Sequence, residues 1–344
     1  MAEEQAGLGD SNAPAARPHE PASAWLRVLK SPWTKVALAA GVIVALVAFN
    51  RIDLQTFAGL SHTWGWLVLA FALMLPTYAI VSYRFWRVLA NQGIHVSVAQ
   101  AMRWTMIGSF FDIAMPSNSG GDVIKAGYLV RHVGPGQRTT AVMAVAFDRV
   151  LGLLGLFLLA GTTSLAGWNV VRTMPGSTKV MVFLIFVSLG ALLFFRVLGA
   201  RRLANHARLR RFVERLPAGV RIYSVIGSFN LLREKPADFF LVLGLSMLNH
   251  AFWCASLLCI TAAFSQSVGV IQGFTVFPLA IFSNVFGFAG GFGVGTAAFD
   301  LIFAQLLNVQ VGAVIGLTFQ MLSGLSRLTG LPFYIASGSR ANPG

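Results

Sequence analysis

Hydrophobic residues are grouped along the chain into long runs that are separated by short polar segments. Several runs approach or exceed the roughly 20 residues that a helix needs to cross about 30 Å of hydrocarbon. The pattern therefore predicts an all-α polytopic membrane protein. The apolar segments that it defines are 34–50, 64–83, 98–116, 138–168, 178–197, 238–263, 268–288, 290–308 and 312–336.

Composition agrees with this class of protein, because 56% of the residues are hydrophobic and only 11% are charged. That balance lies outside the range of ordinary soluble domains. Residues 1–24 differ from the rest: they are polar, rich in Ala and Pro, and are expected to form a disordered cytoplasmic tail. We expect no cleavable signal peptide, since no short apolar run with a small-residue cleavage site precedes the first segment.

A Gly-Gly turn occurs twice within apolar sequence. The first copy is Met-Pro-Ser-Asn-Ser-Gly-Gly-Asp at 115–122, and the second is Phe-Gly-Phe-Ala-Gly-Gly-Phe-Gly at 286–293. Each copy is followed by a similar apolar helix, at 141–147 and at 313–319. Helix-breaking turns at corresponding positions of two membrane halves indicate the substrate site of a transporter. The small residues of the second turn also fit close helix packing, and its match to the first turn favours the functional interpretation.

Basic residues are concentrated in one loop, 197–237, and its immediate flanks. Ten of the 26 Lys and Arg residues lie between Arg196 and Lys235, where the acidic residues are Glu214 and Glu234. In a soluble protein such a run would indicate nucleic acid. Between membrane spans it indicates a cytoplasmic loop that rests on anionic lipid, and we expect no nucleic-acid partner.

The remaining loop charges favour a re-entrant hairpin over 98–132. Arg84, Arg87 and Arg103 place the connection before the hairpin on the cytoplasmic side. If 98–116 crossed the membrane fully, Lys125 and the following arginines would lie outside. A hairpin that enters from the cytoplasm and returns keeps these cations inside.

The second half is expected to run in the same way with the opposite sense, so that a second hairpin, 268–308, enters from the outside. Each half holds three spans, and an odd number requires the halves to be inverted relative to each other. The prediction is an inverted repeat of about six full transmembrane helices plus two opposed re-entrant helical hairpins. The repeats would cover 25–170 and 171–337, with a cytoplasmic tail at 338–344 and both termini in the cytoplasm. If both hairpins cross fully, the count becomes eight spans or more.

The turns are candidates for the site because backbone at membrane depth must be buried in protein or line a wet cavity. Pro116 would end the incoming helix, and Gly120 and Gly121 would permit the reversal. Ser117 and Asn118 would satisfy freed backbone groups. A helix that starts near Gly121 would direct its free N–H groups at an anion. Asp122 then either caps this helix or takes part in substrate or proton coupling.

Ionisable residues at hydrocarbon depth are further candidates, since burying them is costly. Arg149 lies well inside segment 138–168, and its neighbour Asp148 does not face it on a helix. We expect Arg149 to reach Asp112 or Asp122, with phosphate binding and a structural ion pair both open. Lys125 would pair with Asp122 or contact a headgroup.

The spans contain further polar residues, and some of them are open to two interpretations. Asn249 and His250 fit an interhelical hydrogen bond better than proton transfer. Arg327 either snorkels to the cytoplasmic surface or contacts substrate, and Asp300 has no basic residue near it in the sequence. Cys254 and Cys259 are expected to pack in the core, and no metal or cofactor is expected. The candidates for substrate binding or coupling are Asp112, Pro116, Ser117, Asn118, Gly120, Gly121, Asp122, Lys125, Asp148, Arg149, His250, Asn284, Gly290, Gly291, Asp300 and Arg327.

The run at 116–122, followed by Lys125, Leu129 and Phe147-Asp148-Arg149, resembles the lysylphosphatidylglycerol synthase transmembrane region. That region is the flippase-like membrane domain of the bacterial multiple peptide resistance factor, and the resemblance covers about residues 35–336. It implies a multi-pass protein of the bacterial inner membrane that moves lipids. Stand-alone relatives are associated with hopanoids and lipid-linked sugars.

The resemblance is weaker in the second copy of the motif. The family usually has Arg-Glu where this chain has Gly295-Thr296, and the prolines around the second Gly-Gly are missing. In the first copy, Lys125 stands where Arg is common. The lost charges indicate a different substrate, or one with less headgroup charge. The soluble synthase domain is absent, so we expect no lipid synthesis and no enzyme activity.

The leading hypothesis is a flippase or transporter for a phosphate-bearing amphiphile: a phospholipid, a lipid-linked sugar or a hopanoid. Its partners would be membrane lipids with anionic headgroups and an envelope-lipid biosynthetic enzyme. No Gly-x-x-x-x-Gly-Lys-Ser/Thr loop occurs, so ATP is not the evident energy source. The alternatives are a secondary transporter of a small polar solute and an intramembrane lipid-modifying transferase.

Overall fold

The computed structural model of the chain describes residues 62–114, 120–198, 235–286 and 292–338, together with Val44. Within these ranges every regular element is helical and no β-strand occurs. The helices are α1 (Trp64–Asn91), α2 (Val98–Ala114), α3 (Gly120–His132), α4 (Arg138–Ala166), α5 (Trp168–Val171), α6 (Ser177–Leu198), α7 (Pro236–Ala263), α8 (Val270–Ser283), α9 (Val294–Leu307), α10 (Gly312–Arg327) and α11 (Leu331–Gly338).

The apolar helices confirm the all-α membrane class that the sequence predicts. In the described part of the chain, three helical stretches are long and apolar enough to cross a membrane: Trp64–Asn91, Pro135–Ala166 and Pro236–Ala263. The expected first span, 34–50, lies outside the described residues, as do tail 1–24, most of loop 197–237 and most of tail 338–344. The six-span count and the re-entrant depth of the hairpins therefore stay predictions.

Two predicted segments end differently in the structure. Helix α1 continues beyond residue 83 to Asn91, so Arg84 is a helical residue of the interior rather than a loop cation. The last segment, 312–336, is not one helix: α10 ends at Arg327, and a 3-10 turn at Leu328–Gly330 precedes α11. A Cβ on Gly330 would overlap the carbonyl oxygen of Met106, so glycine here lets the turn approach α2 closely.

Helices α1 and α7 pack against each other along their length and form the centre of the bundle. Ser256 on α7 donates a hydrogen bond of 2.9 Å to the Ala70 carbonyl of α1. Helix α4 packs against α7 at Gly155, where a Cβ would overlap the Ser246 side chain. These close approaches bring three long helices together around one interior.

The neighbours of each helix follow the same order in the two halves of the chain. In the first half α1 contacts α2, α2 contacts α3, and α3 contacts α4. In the second half α7 contacts α8, α8 contacts α9, and α9 contacts α10. Across the halves α4 contacts α7 and α8, while α10 contacts α1 and α2. The tips of the α2–α3 and α8–α9 hairpins, 115–119 and 287–291, lie outside the described residues.

Candidate functional site

An ion-paired cluster lies inside the bundle, where α1, α3, α4 and α7 meet. Arg84 donates from Nε to Asp148 Oδ1 over 2.9 Å, and Lys125 Nζ lies 3.3 Å from Asp148 Oδ2. The side chains of Arg84, Lys125 and Asp148 are 6%, 6% and 3% exposed. A second guanidinium nitrogen of Arg84 donates to Ser246 Oγ on α7 over 3.0 Å. Such pairing is what buried charges require, because an uncompensated ion is costly in a low-dielectric interior.

The cluster continues from Lys125 toward the start of α3 in the first hairpin. Lys125 Nζ also lies 3.5 Å from Asp122 Oδ1 and 4.2 Å from the centre of the Phe85 ring. Asp122 in turn forms an ion pair with Arg149 on α4. Charges of alternating sign thus run from Arg84 to Arg149. The outer pair is about 30% exposed on both sides, whereas the inner pair is sealed.

Asp112 holds the first hairpin together through the backbone. Its Oδ1 accepts a hydrogen bond of 2.7 Å from the Gly121 amide, which belongs to the first turn of α3. A Cβ on Gly108 would lie 2.8 Å from the Gly121 carbonyl oxygen, so the two helices approach backbone to backbone. Asp122 also lies in this first turn, where a carboxylate interacts favourably with the positive end of the helix dipole.

A cavity of about 250 Å³ opens beside this cluster, with Arg84, Lys125, Asp148 and Arg149 in its lining. Thr105, Asn249 and His250 also belong to its lining. Thr105 Oγ1, Asn249 Oδ1 and His250 Nδ1 are buried and have no hydrogen-bond partner among the described residues. The other ring nitrogen of His250 lies 3.0 Å from the Gly152 carbonyl oxygen. Because buried polar atoms are almost always satisfied, three unsatisfied atoms on residues of one lining mark this cavity as a polar site.

A second cavity of about 230 Å³ lies toward the α8–α9 hairpin. Its polar and aromatic lining consists of Arg149, His250, Trp253, Asn284, Gln320, Ser323, Arg327 and Phe319. Thr296 Oγ1 donates to Gln320 Oε1 over 2.7 Å, and Gln320 Nε2 donates to Asn284 Oδ1 over 3.0 Å. Arg149 and His250 line both cavities, so the two spaces adjoin at these side chains.

The polar groups of the two hairpins correspond in position but differ in charge. Asp148 directly follows the helix segment 141–147, and Gln320 directly follows the matching segment 313–319. Asp112 lies near the end of the first hairpin helix and Asn284 directly after its counterpart. Lys125 contacts Asp148, while Thr296, one residue after the counterpart of Lys125, contacts Gln320. The second half of the chain therefore carries a neutral version of the charged cluster.

The structure brings most of the predicted site residues together. Asp112, Gly121, Asp122, Lys125, Asp148, Arg149 and His250 line the first cavity, and Asn284 and Arg327 line the second. Gly120 is buried next to Gly121. The predicted residues Pro116, Ser117, Asn118, Gly290 and Gly291 lie outside the described residues. Asp300 is buried in α9 against the start of α10 and is not part of either lining described above.

The polar residues of the site that sequence reasoning missed include Arg84, Thr105, Ser246, Thr296 and Gln320. Arg84 lay just beyond the predicted end of its segment, where an arginine usually reaches the membrane surface. A signal for it did exist, because a deeply buried Asp148 requires a basic partner from another helix. Neutral residues such as Gln320 carry no comparable signal.

The fold and the site together define an integral membrane protein with a charged, polar interior between helical hairpins. The chain belongs to the family described as Lysylphosphatidylglycerol synthase TM region, whose model matches residues 33–328. Membership identifies it as a lipid-related, flippase-like membrane domain. Comparisons with curated proteins and with solved structures give no significant match.

Proposed function

We propose that this protein is a flippase of the bacterial inner membrane that moves a phosphate-bearing lipid between leaflets. The observation that carries the proposal is the position of Arg149, whose side chain lines both cavities. A headgroup that moves from one cavity to the other must pass this guanidinium. The lipid tail would stay in the bilayer.

Arg149 has the chemistry that a phosphate requires. Its planar guanidinium matches the oxygens of a phosphate in bidentate geometry. Arg149 and Asp122 are each about 30% exposed, so a phosphate oxygen can take the place of the Asp122 carboxylate. Arg84 is unsuited to this exchange, because it is sealed between Asp148 and Ser246.

Lys125 lowers the free-energy cost of exchanging Asp122 for a phosphate on Arg149. It lies 3.5 Å from Asp122 and 3.3 Å from Asp148, so it neutralises Asp122 when Arg149 turns to the phosphate. No carboxylate is then left buried without a counter-ion, which would cost several kcal/mol. The cluster can therefore accept and release an anion without losing its own pairing.

The packing order supports alternating access by an inverted repeat. The first hairpin lies between α1 and α4, and the second lies between the corresponding helices α7 and α10. The halves contact each other reciprocally. In such repeats, the substrate site lies at the interface of the halves and the hairpins gate it from opposite sides. Six spans and two opposed hairpins, with both termini in the cytoplasm, remain our proposed topology.

Lipid mass spectrometry on gently purified protein tests this function. Wild type should retain one phosphate-bearing lipid class selectively, and Arg149→Ala should lose it. Arg131→Ala is the matched control, since Arg131 is exposed on α3 and should leave retention unchanged. Bulk membrane lipids alone in all three samples would contradict the proposal and favour a transporter of a small polar solute.

A further inference from the structure

We infer that the second cavity is a subsite for an uncharged, hydroxyl-bearing part of the headgroup, adjacent to the phosphate on Arg149. This inference rests on the proposed function and narrows its substrate class. The lipid would carry a polyol or sugar beyond its phosphate, and would carry no ammonium group there.

The polar lining of the second cavity consists of amides, hydroxyls and cations. Asn284 and Gln320 are 8% and 2% exposed and are joined by a hydrogen bond, so their amides are held in fixed positions. An amide offers both donors and acceptors, and so does a hydroxyl. Fixed amides therefore suit a group with several hydroxyls better than they suit an ion.

The charges of the second cavity disfavour an ammonium group. Arg149 and Arg327 both line this cavity, and its described lining contains no carboxylate. An ammonium group would therefore find cations nearby and no carboxylate of the lining to pair with, which is unfavourable for a buried charge. The first cavity differs, since Asp112, Asp122 and Asp148 line it.

The backbone at residue 295 leaves room for the amide network, which is the hydrogen-bonded pair of Asn284 and Gln320. A Cβ on Gly295 would overlap Asn284 Oδ1 and would lie 3.0 Å from Gln320 Nε2. Any larger residue at 295 would push the amides apart, and Thr296 fixes Gln320 through its hydroxyl. Gly295 and Thr296 thus keep this position neutral, whereas the first hairpin places Lys125 against Asp148.

Trp253 supplies an apolar wall beside the amides. Its indole contacts Phe319 edge-on, with ring centres 5.6 Å apart, so the ring is held in place at the cavity. The C–H side of a polyol or sugar ring can pack on such a surface while its hydroxyls reach Asn284 and Gln320. A cavity with one aromatic wall and a few fixed polar groups is typical of a ligand site.

Binding of three lipids to the protein in phosphatidylcholine nanodiscs tests the inference. The probes are phosphatidic acid, which has a phosphate alone, phosphatidylinositol, which adds an uncharged polyol, and phosphatidylethanolamine, which adds an ammonium group. Wild type should bind phosphatidylinositol roughly tenfold more tightly than phosphatidic acid, as one or two hydrogen bonds would give. Phosphatidylethanolamine should bind most weakly.

Gln320→Leu should bring phosphatidylinositol to the affinity of phosphatidic acid, whose own binding should not change and so shows that the variant is folded. Asn284→Leu should act in the same direction. Gln305→Leu is the matched control, because Gln305 is exposed on α9 and should leave all three affinities unchanged.

The outcomes separate this inference from the proposed function. Equal affinity of wild type for phosphatidylinositol and phosphatidic acid, with both lost in Arg149→Ala, would overturn the polyol subsite and leave the flippase proposal standing. Tighter binding of phosphatidylethanolamine would also overturn the subsite. No binding of any of the three probe lipids would contradict both.

Discussion

Arg84 donates a hydrogen bond of 2.9 Å to Asp148, although the two residues are 64 positions apart and belong to different helices. Both side chains are sealed from solvent, at 6% and 3% exposure. This pair lies at the inner end of the charged cluster, away from the more exposed pair of Asp122 and Arg149. In the proposed function, the inner pair stabilises the bundle and the outer pair exchanges partners with the phosphate.

Removal of the Asp148 charge should strongly destabilise the protein. Asp148→Asn leaves the buried cations of Arg84 and Lys125 without their shared carboxylate, and we expect a loss of about 3–5 kcal/mol. Thermal unfolding in detergent measures it. Asp238→Asn is the control: it breaks a more exposed pair with Arg87 and should cost about 1 kcal/mol or less. Similar losses in both variants would contradict the anchoring role.

The close approach within the first hairpin should not tolerate a methyl group. A Cβ on Gly121 would overlap the Gly108 carbonyl and lie 2.8 Å from Asp112 Cγ, so Gly121→Ala should destabilise the protein by about 1–3 kcal/mol. Gly127→Ala lies on the same helix with nothing within 4 Å, and should be neutral or stabilising. Unfolding midpoints of the two variants provide the comparison. Equal midpoints would mean that the helices are not in backbone contact.

The amide network of the second cavity should respond to one methyl group in the same way. Gly295→Ala should separate Asn284 from Gln320 and reduce the preference for phosphatidylinositol over phosphatidic acid by roughly tenfold. Gly324→Ala on α10 has nothing within 4 Å and should keep the preference. Nanodisc affinities for the two lipids measure the effect. An unchanged preference in Gly295→Ala would show that the amides do not contact the headgroup.

The proposed topology, with two opposed hairpins, makes a prediction about access from the two sides of the membrane. Cysteines introduced at Asn118 and Phe288 should react with a membrane-impermeant maleimide from opposite sides. The native Cys254 and Cys259 are buried and should contribute little background. Reaction of both introduced cysteines from the same side would contradict the inverted repeat.

The sequence predicts the reversal of the first hairpin because Pro116 and the Gly-Gly pair mark it. The structure agrees in the described residues on both sides, where Gly108 of α2 lies against Gly121 of α3. The break in the last segment was missed although Gly330 and Pro332 stand beside it. The long apolar sequence on both sides of these two residues instead predicts one continuous helix.

Within the site, burial of a charge in an apolar run identifies Asp148 and Arg149, since such residues are rare at membrane depth. Their partners are harder to predict because contacts between helices depend on packing that the local pattern does not contain. Gln320 and Thr296 are the clearest case. They lie on apolar helices, and their polar groups form a site with Asn284 only because Gly295 leaves room for Asn284 to approach Gln320.

Lipid movement in reconstituted vesicles tests the central claim most directly. Acyl-labelled phosphatidic acid in phosphatidylcholine vesicles, with dithionite quenching of the outer leaflet, reports its exchange between leaflets. Wild type should accelerate exchange over protein-free vesicles, Arg131→Ala should match wild type, and Arg149→Ala should be slower by about tenfold or more. Exchange by Arg149→Ala at the wild-type rate, or by wild type at the protein-free rate, would contradict a phosphate path through Arg149.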